Sequence, residues 1–430
     1  MTGIQQARKE PPEAELRFDV GAPDVLERMI ELFSRHGDIY RVLMPARRSY
    51  AYVIHHPDDV RRVLVSNHRN YVKGVDRDRI KVLLGRGIMT SEGELWQRQR
   101  RMMQPLFHRR VVGEFARIIS EANDRLIAQW EVKGARGDCV NITEEMSELT
   151  LGIVLRSIFG NDADQVSEPF AIVTREPARD LEFVYRFRAL GALVAKLVEQ
   201  RRAQGKEHFD YLGMLMHARD KETGAAMSER QLIDEVMTLV VAGHETTASV
   251  LNWTWYLLAQ HPDVEERLCM ELAAQTHDTA PSLAWMEAMT YAGQVLNEAM
   301  RLYPPGWLLS RRTIGPDVLA GYEIAAKADV LLPLYLLHRH PRYWNNPDRF
   351  EPDRFSPERA AERPRFAFVP FAAGPRHCIG ETLALYEMLM HVYKVVPRFR
   401  LTLVPDGKVE LEAQINLRAR RPLKMMLARR

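Results

Sequence analysis

One run of helical sequence, Ser228 to Gln260, constrains this chain more than any other feature. Ser228 with Gln231 has the capping-box pattern, in which two side chains satisfy the first free amides of a helix. The run meets no proline until His261-Pro262, which ends it. At 1.5 Å per residue such a helix is about 45 Å long, enough to cross a whole domain. A chain of 430 residues organised around it is expected to be mainly α with small β-sheets.

The other elements are shorter. Apolar periodicity predicts helices over Asp24–His36, from Pro57 through Val65, over most of Leu95–Leu155, at Leu190–Val198, over Met289–Leu302 and over Glu381–Val396. Tyr40–Leu43 and Ala51–Ile54 read as a hairpin, and Asp138–Ile142 as a short strand. Strand signals return in 313–334 and at the C-terminus, while 71–94 reads as loop. Residues 1–15 read as a frayed leader. With no linker to cut the chain, 1–430 reads as a single domain. Residues 340–376 have little periodicity, and so long an irregular stretch inside a compact domain usually serves a function.

Composition removes several classes of protein. Apolar residues make up 46% and charged residues 27%, which excludes a disordered or collagen-like chain. Three cysteines exclude a disulfide scaffold and fit a reducing compartment. Sixty basic against 57 acidic residues give a net charge of +3, so nucleic acid is not an expected partner. No stretch reaches the ~18 apolar residues of a membrane span. The N-terminus lacks the apolar core of a signal peptide, and the expected location is the cytoplasm.

Within the irregular stretch lies Phe371-Ala-Ala-Gly374-Pro-Arg376-His-Cys378-Ile-Gly380. It sets one cysteine just before a helix, where the peptide dipole and Arg376 both favour an anion. Gly380 would let backbone amides point at the sulfur. A buried cysteine acting as a small hydrophobe is the competing reading. A zinc site would need about four closely arranged ligands, and Cys378 and His377 have no nearby Cys-x-x-Cys partner. Cys139 and Cys269 read as core.

Ala242-Gly243-His244-Glu245-Thr246-Thr247 sits in the middle of the long helix. Glycine there costs ~1 kcal/mol against alanine. Threonines compete for backbone carbonyls, so a local widening of the helix is expected. Small residues would admit a flat cofactor, and Glu245 with Thr246 would relay protons. Ordinary tolerance of small residues in a buried helix explains the run equally well by itself. Glu298 and Arg301 share one helix face, and Arg354 follows in Phe350-Glu-Pro-Asp-Arg354-Phe355. Trp96 and Arg100 lie one helical turn apart. Arg311-Arg312 supplies a further cation, with the choice between the two open.

Together these segments resemble the cytochrome P-450 superfamily. The cysteine loop matches its Phe-x-x-Gly-x-Arg-x-Cys-x-Gly haem signature at every fixed position. The helix motif matches its oxygen-binding Ala/Gly-Gly-x-Asp/Glu-Thr-Thr, and Glu298-Ala-Met-Arg301 its Glu-x-x-Arg helix. The match is good from Trp96 onward and general before residue 90. The resemblance implies the P-450 fold, with haem b between the long central helix and the cysteine-loop helix. It makes Cys378 the axial thiolate, with Phe371 packed near the sulfur. Gly380, Ala242 and Gly243 would line the cofactor. Arg376, Trp96, Arg100 and Arg311 would meet the propionates. Thr246 and Glu245 would be the catalytic alcohol and acid, and Glu298, Arg301 and Arg354 a structural triad.

The implied reaction inserts one oxygen atom from O2 into a C–H or C=C bond of a small, largely apolar molecule. A terpenoid, a polyketide or another secondary metabolite, or a lipid, fits that description. A haem-thiolate isomerase, dehydratase or peroxygenase is one alternative, against which the intact Glu245-Thr246 pair argues; a non-enzymatic haem sensor is another, against which the long oxygen-groove helix argues. No Gly-x-Gly-x-x-Gly follows a strand, so electrons would come from a separate ferredoxin or flavodoxin with its reductase. Arg98, Arg101, Arg109 and Arg110 form a basic cluster suited to an acidic partner. A monomer is expected. Substrate-facing positions are sought in Lys73–Thr90, Asp180–Arg188, Leu239–Thr247, Trp307–Ser310 and Gln414–Leu417. A short segment rich in Arg175, Arg179, Asp180, Glu182, Arg186 and Arg188 reads as a charged lid.

Overall fold

The computed structural model describes residues 10–17, 19, 21–175, 181–275, 282, 285, 288–405 and 408–430. Of residues 16, 17, 76–79, 175 and 181 it describes the backbone. The chain divides into two compact units. One takes the residues up to Asp78, Asn297–Cys378 and Val409–Arg420. The other takes Arg79–Leu296, Ile379–Lys408 and Arg421–Arg430.

The first unit is built on a six-stranded sheet. In spatial order its strands are Glu13–Arg17, Ile39–Met44, Ser49–Ile54, Asp329–Pro333, Leu308–Thr313 and Tyr71–Lys73. The expected hairpin is present, with Val42 opposite Ala51. Strand Asp329–Pro333 is buried along its whole length, as a central strand covered on both faces must be. Leu331 faces a core with Val25, Met29 and Leu32 of helix Val25–His36. Val330 and Leu332 face a second core with Ile54, Val60 and Leu337.

Two readings change here. Residues 10–15 are not a frayed leader. Glu13–Arg17 adds a parallel strand, with Ala14 buried and Arg41 pairing Glu10 at 2.7 Å and Glu13 at 2.8 Å. Residues 1–9 lie outside the described residues. Nor is 71–94 mostly loop: Tyr71–Lys73 pairs antiparallel with Leu308–Thr313, and Asp76–Leu84 is helical.

The second unit is assembled around helix Glu229–Gln260, 32 residues long and about 48 Å by its rise. Its capping box is formed in both directions. The helix is buried around most of its circumference, as a helix apolar on all sides must be. Helices Ile142–Phe159, Leu181–Gln204 and Glu381–Val395 pack against it. A small antiparallel sheet joins Phe399–Leu403, Lys424–Arg429 and Cys139–Asn141.

That sheet corrects the reading of Cys139 as core. Val140 points inward, so strand alternation turns Cys139 outward and leaves it exposed. Cys269 is half-buried. The helix expected at Leu190–Val198 is far longer, 24 residues over Leu181–Gln204. Phe183 and Phe187 stack at 5.9 Å on its buried side, and Phe187 meets Phe170 edge-on at 6.4 Å. Glu182, Arg186 and Arg188 are exposed. The charges of this segment therefore mark its solvent side. Arg179 and Asp180 lie outside the described residues, as does the side chain of Arg175.

Candidate active site

In the first unit the irregular stretch is organised by two guanidiniums and one carboxylate. Arg301 holds Glu298 with two bonds, Nε to Oε2 at 2.7 Å and Nη2 to Oε1 at 2.8 Å. Arg354 Nε donates to the same Oε1 at 2.9 Å, and so does the Glu351 amide at 2.9 Å. Glu298 and Arg301 are 0% exposed and Arg354 2%. Each guanidinium then turns outward to carbonyls. Arg301 donates to His338, Pro347 and Arg349, and Arg354 to Asn345, Asn346 and Arg349. Buried carbonyls need donors, and this segment has no sheet to supply them. Glu298, Arg301 and Arg354 are thus joined by direct bonds, and their guanidiniums hold carbonyls along this stretch.

The same unit carries the cysteine loop up to Cys378. Ala372 takes a positive φ of 59° and Gly374 one of 73°. A Cβ on Gly374 would overlap the carbonyl oxygen of Leu64, so this position needs glycine for both conformation and space. A 3-10 turn over Gly374–Arg376 follows, and the Cys378 amide closes back on the Phe371 carbonyl at 3.0 Å. The thiol is exposed rather than buried as a small hydrophobe. Gly380 caps helix Glu381–Val395 with an ordinary φ of −93°, so it supplies no special conformation. A Cβ there would meet only the Phe107 ring, at 4.0 Å.

Arg311 and Arg312 alternate on one strand and face opposite sides. Arg312 forks onto Asp329, with contacts of 3.0–3.1 Å. Arg311 is buried and donates to the Ser310 carbonyl at 2.8 Å. The geometry therefore separates two cations that the sequence left equivalent. Trp307 is buried, and its indole donates to the Gln414 carbonyl at 2.8 Å, joining two of the expected substrate-facing segments.

In the second unit the long helix runs as continuous α-helix through Ala242–Thr247, without the expected widening. Thr246 Oγ1 donates to the Ala242 carbonyl at 2.7 Å, which absorbs the threonine's competition for the backbone. Gly243 faces helix Ile142–Phe159, where a Cβ would come within 3.0 Å of Val154. Its smallness serves close packing of two helices. His244 is buried and shares a 2.8 Å hydrogen bond with Ser147 on that same helix. Ala242, Glu245 and Thr246 are half-buried. Trp96 packs against the main core, and Arg100 Nε donates to Gln104 at 3.0 Å.

The basic cluster is less available than its sequence implies. Arg101 pairs with Asp220 at 3.0 Å and Glu222 at 2.9 Å, and Arg98 donates to the Ala226 carbonyl at 2.7 Å. The turn Asp220–Ala226 thus engages both of these guanidiniums. Arg109 and Arg110 are exposed.

Sequence reasoning missed a clasp at the start of the long helix. Asp234 accepts the Arg86 amide at 2.9 Å, and Glu235 the Ile88 amide at 2.8 Å. Thr238 lies directly under Gly87. Glu235 is wholly buried, and burial pushes its carboxyl up to about 8. The available signal was an Asp-Glu pair in an apolar helix, with Gly85-x-Gly87 elsewhere in the chain.

The donor set fits a haem. An exposed thiol follows a rigid turn, Arg376 stands beside it in sequence, and a buried Arg311 stands on a strand of the same unit. Thiolate suits iron, and guanidinium suits carboxylate.

Comparison with known proteins agrees with this fit. The sequence model of the Cytochrome P450 family matches residues 18–176 and 165–427. The chain is 31% identical to cyclooctatin synthase of Streptomyces melanosporofaciens, over 91% of this chain and 88% of that protein. It is 32% identical to cyclooctat-9-en-7-ol 5-monooxygenase of the same organism, over 86% of this chain and 84% of the relative. The crystal structure of the cytochrome P450DA heme domain superposes with a TM-score of 0.85 at 23% identity, covering 99% of this chain and 98% of that one. The fold is thus that of a cytochrome P450 heme domain. The chain belongs to the cytochrome P450 family and is a monooxygenase with haem iron as its cofactor. Among the described residues no helix is long and apolar enough to cross a membrane.

Proposed function

We propose that this chain binds haem b through the Cys378 thiolate. It then oxygenates a small, largely apolar organic molecule with O2 and electrons from a separate ferredoxin or flavodoxin. A terpenoid or polyketide metabolite, or a lipid, is the expected substrate class. The relative named for 5-monooxygenation of cyclooctat-9-en-7-ol supports a compact organic substrate. Bound haem supplies the oxygen chemistry, tuned by the electron-rich thiolate.

The chain's own residues do the rest. Arg376 and Arg311 hold the two carboxylates of the cofactor, with Trp96 and Arg100 as further donors. The fork of Arg312 onto Asp329 favours Arg311 for that role. Phe371 shields the sulfur, and Gly380 starts the helix behind it. Glu298, Arg301 and Arg354 fix the loop that carries it.

Thr246 carries the reading of oxygen use. Its hydroxyl hydrogen is held by the Ala242 carbonyl at 2.7 Å, so its oxygen presents lone pairs in a fixed direction. Glu245, one residue earlier and half-buried, bridges toward solvent and replenishes the proton. Turnover with a ferredoxin system tests this. Thr246→Ala and Glu245→Gln are expected to keep consuming NADH while product per NADH falls by about tenfold or more, with peroxide released instead. Unchanged product per NADH in both variants would overturn the assignment.

A further inference from the structure

Helix Leu181–Gln204, the first turns of the long helix and the end of helix Asp76–Leu84 border a partly open cavity of about 220 Å3. All of its lining residues belong to the second unit. Leu83, Leu84, Ile233 and Met237 give it apolar walls. The space exists because Gly191, Ala192 and Ala195 stand where helix Leu181–Gln204 faces the long helix. At Gly191 even a Cβ would come within 3.1 Å of Ile233.

The lining also carries charge. Arg188 and Arg230 line it, and so does Asp234. Asp234 pairs with Arg230 at 3.3 Å and accepts the Arg86 amide at 2.9 Å. Two guanidiniums against one carboxylate leave one net positive charge beside an apolar hole. Arg188 is exposed, and none of the described acidic side chains pairs with it.

Helix geometry sets this cavity apart from the oxygen motif. At 3.6 residues per turn, Arg230, Ile233, Asp234 and Met237 span roughly 100° of the long helix, and Thr246 lies roughly 170° from their centre. A molecule in the cavity therefore lies on the side of the helix turned away from the Thr246 hydroxyl.

We propose that this cavity is a second binding site, for a monoanionic amphiphile. A carboxylate head would sit between Arg188 and Arg230, with a short apolar body against Leu83, Ile233 and Met237. Arginine pairs with carboxylate through parallel donors, which suits the head. Asp234 selects against a dianion. The volume is below the ~300–1,000 Å3 of pockets for drug-sized ligands, which limits the body to a short chain.

Isothermal titration of octanoate into the haem-loaded protein saturated with imidazole tests the proposal. Imidazole holds the iron, and the absorption spectrum in the same cell reports separately whether haem is bound. One saturable octanoate site is expected. Arg188→Ala combined with Arg230→Ala should weaken it by about tenfold or more, and octan-1-ol should bind weaker than octanoate by a similar factor. Ala192→Phe, which fills the space from an exposed helix position, should abolish it. Arg188→Ala alone serves if the double variant does not fold. Absence of a saturable site, or affinity unchanged in the arginine variants or in Ala192→Phe, would overturn the proposal.

Discussion

Helix Glu229–Gln260 pairs its amides and carbonyls with one another, and its order is spread along 32 residues. The segment from His338 to Cys378 has no such ladder. The carbonyls of His338, Asn345, Asn346, Pro347 and Arg349 are held by two guanidiniums anchored on one carboxylate. The helix therefore has distributed support, while the loop depends on a few side chains that are buried and charged. Cys378 ends the fragile segment, and Thr246 sits on the robust one. Damage to the loop should show first as lost stability. Damage at Thr246 should show first as lost chemistry.

Substitutions sharpen that contrast. Arg301→Ala leaves Glu298 buried with one cation fewer and strips donors from three carbonyls. Breaking such a buried pair costs about 3–5 kcal/mol, much of the ~5–15 kcal/mol that a typical fold commands. Urea unfolding should show this loss together with a fall in haem retention. Arg301→Lys should recover only part, because lysine lacks the planar fork. A midpoint unchanged in Arg301→Ala would show that the three side chains do not hold the loop.

Gly374→Ala should come next. It forces a side chain into the left-handed region at φ 73° and against the Leu64 carbonyl. The expected cost is about 1–3 kcal/mol, read as a lower thermal midpoint. A midpoint equal to the parent's would show that the loop relaxes there.

The clasp on the long helix should respond to pH. The Glu235 carboxyl is raised to about 8 in the folded protein, against 4.5 ordinarily. Folded protein therefore keeps a proton that unfolded protein loses. The stability this group provides is full below about 4.5, falls as pH rises toward 8, and is flat above. Glu235→Gln removes that slope, so its stability relative to the parent should increase across this window. A constant difference between the two would contradict the buried neutral acid.

Thr246→Ala should have the smallest effect on stability. It removes one hydroxyl bond and gains helix propensity, and the two offset within about 1 kcal/mol. A loss as large as that of Arg301→Ala would erase the distinction between the two regions.

The same contrast explains what the sequence disclosed. The long helix was legible from its capping box and its proline stop, because helix formation is a local matter. Helix Leu181–Gln204 was half hidden, since Phe183 and Phe187 lie inside a polar run whose charges all face solvent. The pairing of Tyr71–Lys73 with Leu308–Thr313 was illegible, because a three-residue strand is defined by a partner far along the chain. Cys139 was misplaced for a similar reason: period-two alternation fixes a face only once Val140 is known to point inward. The triad and the cysteine loop were legible through their motifs alone. Nothing in local propensity says that Arg301 reaches His338 and Arg349. That Arg312 rather than Arg311 forks onto Asp329 was illegible, because only the folded sheet brings Asp329 alongside.

The proposed function rests above all on ligation of the cofactor by Cys378 as a thiolate. The direct test is the absorption spectrum of the haem-loaded, reduced protein under carbon monoxide, recorded for the parent and for Cys378→Ser. The parent is expected to show the strongly red-shifted Soret band of a thiolate-ligated haem, and the variant to lose it. A parent spectrum with the unshifted band of a neutral ligand, or a shifted band that survives Cys378→Ser, would contradict it.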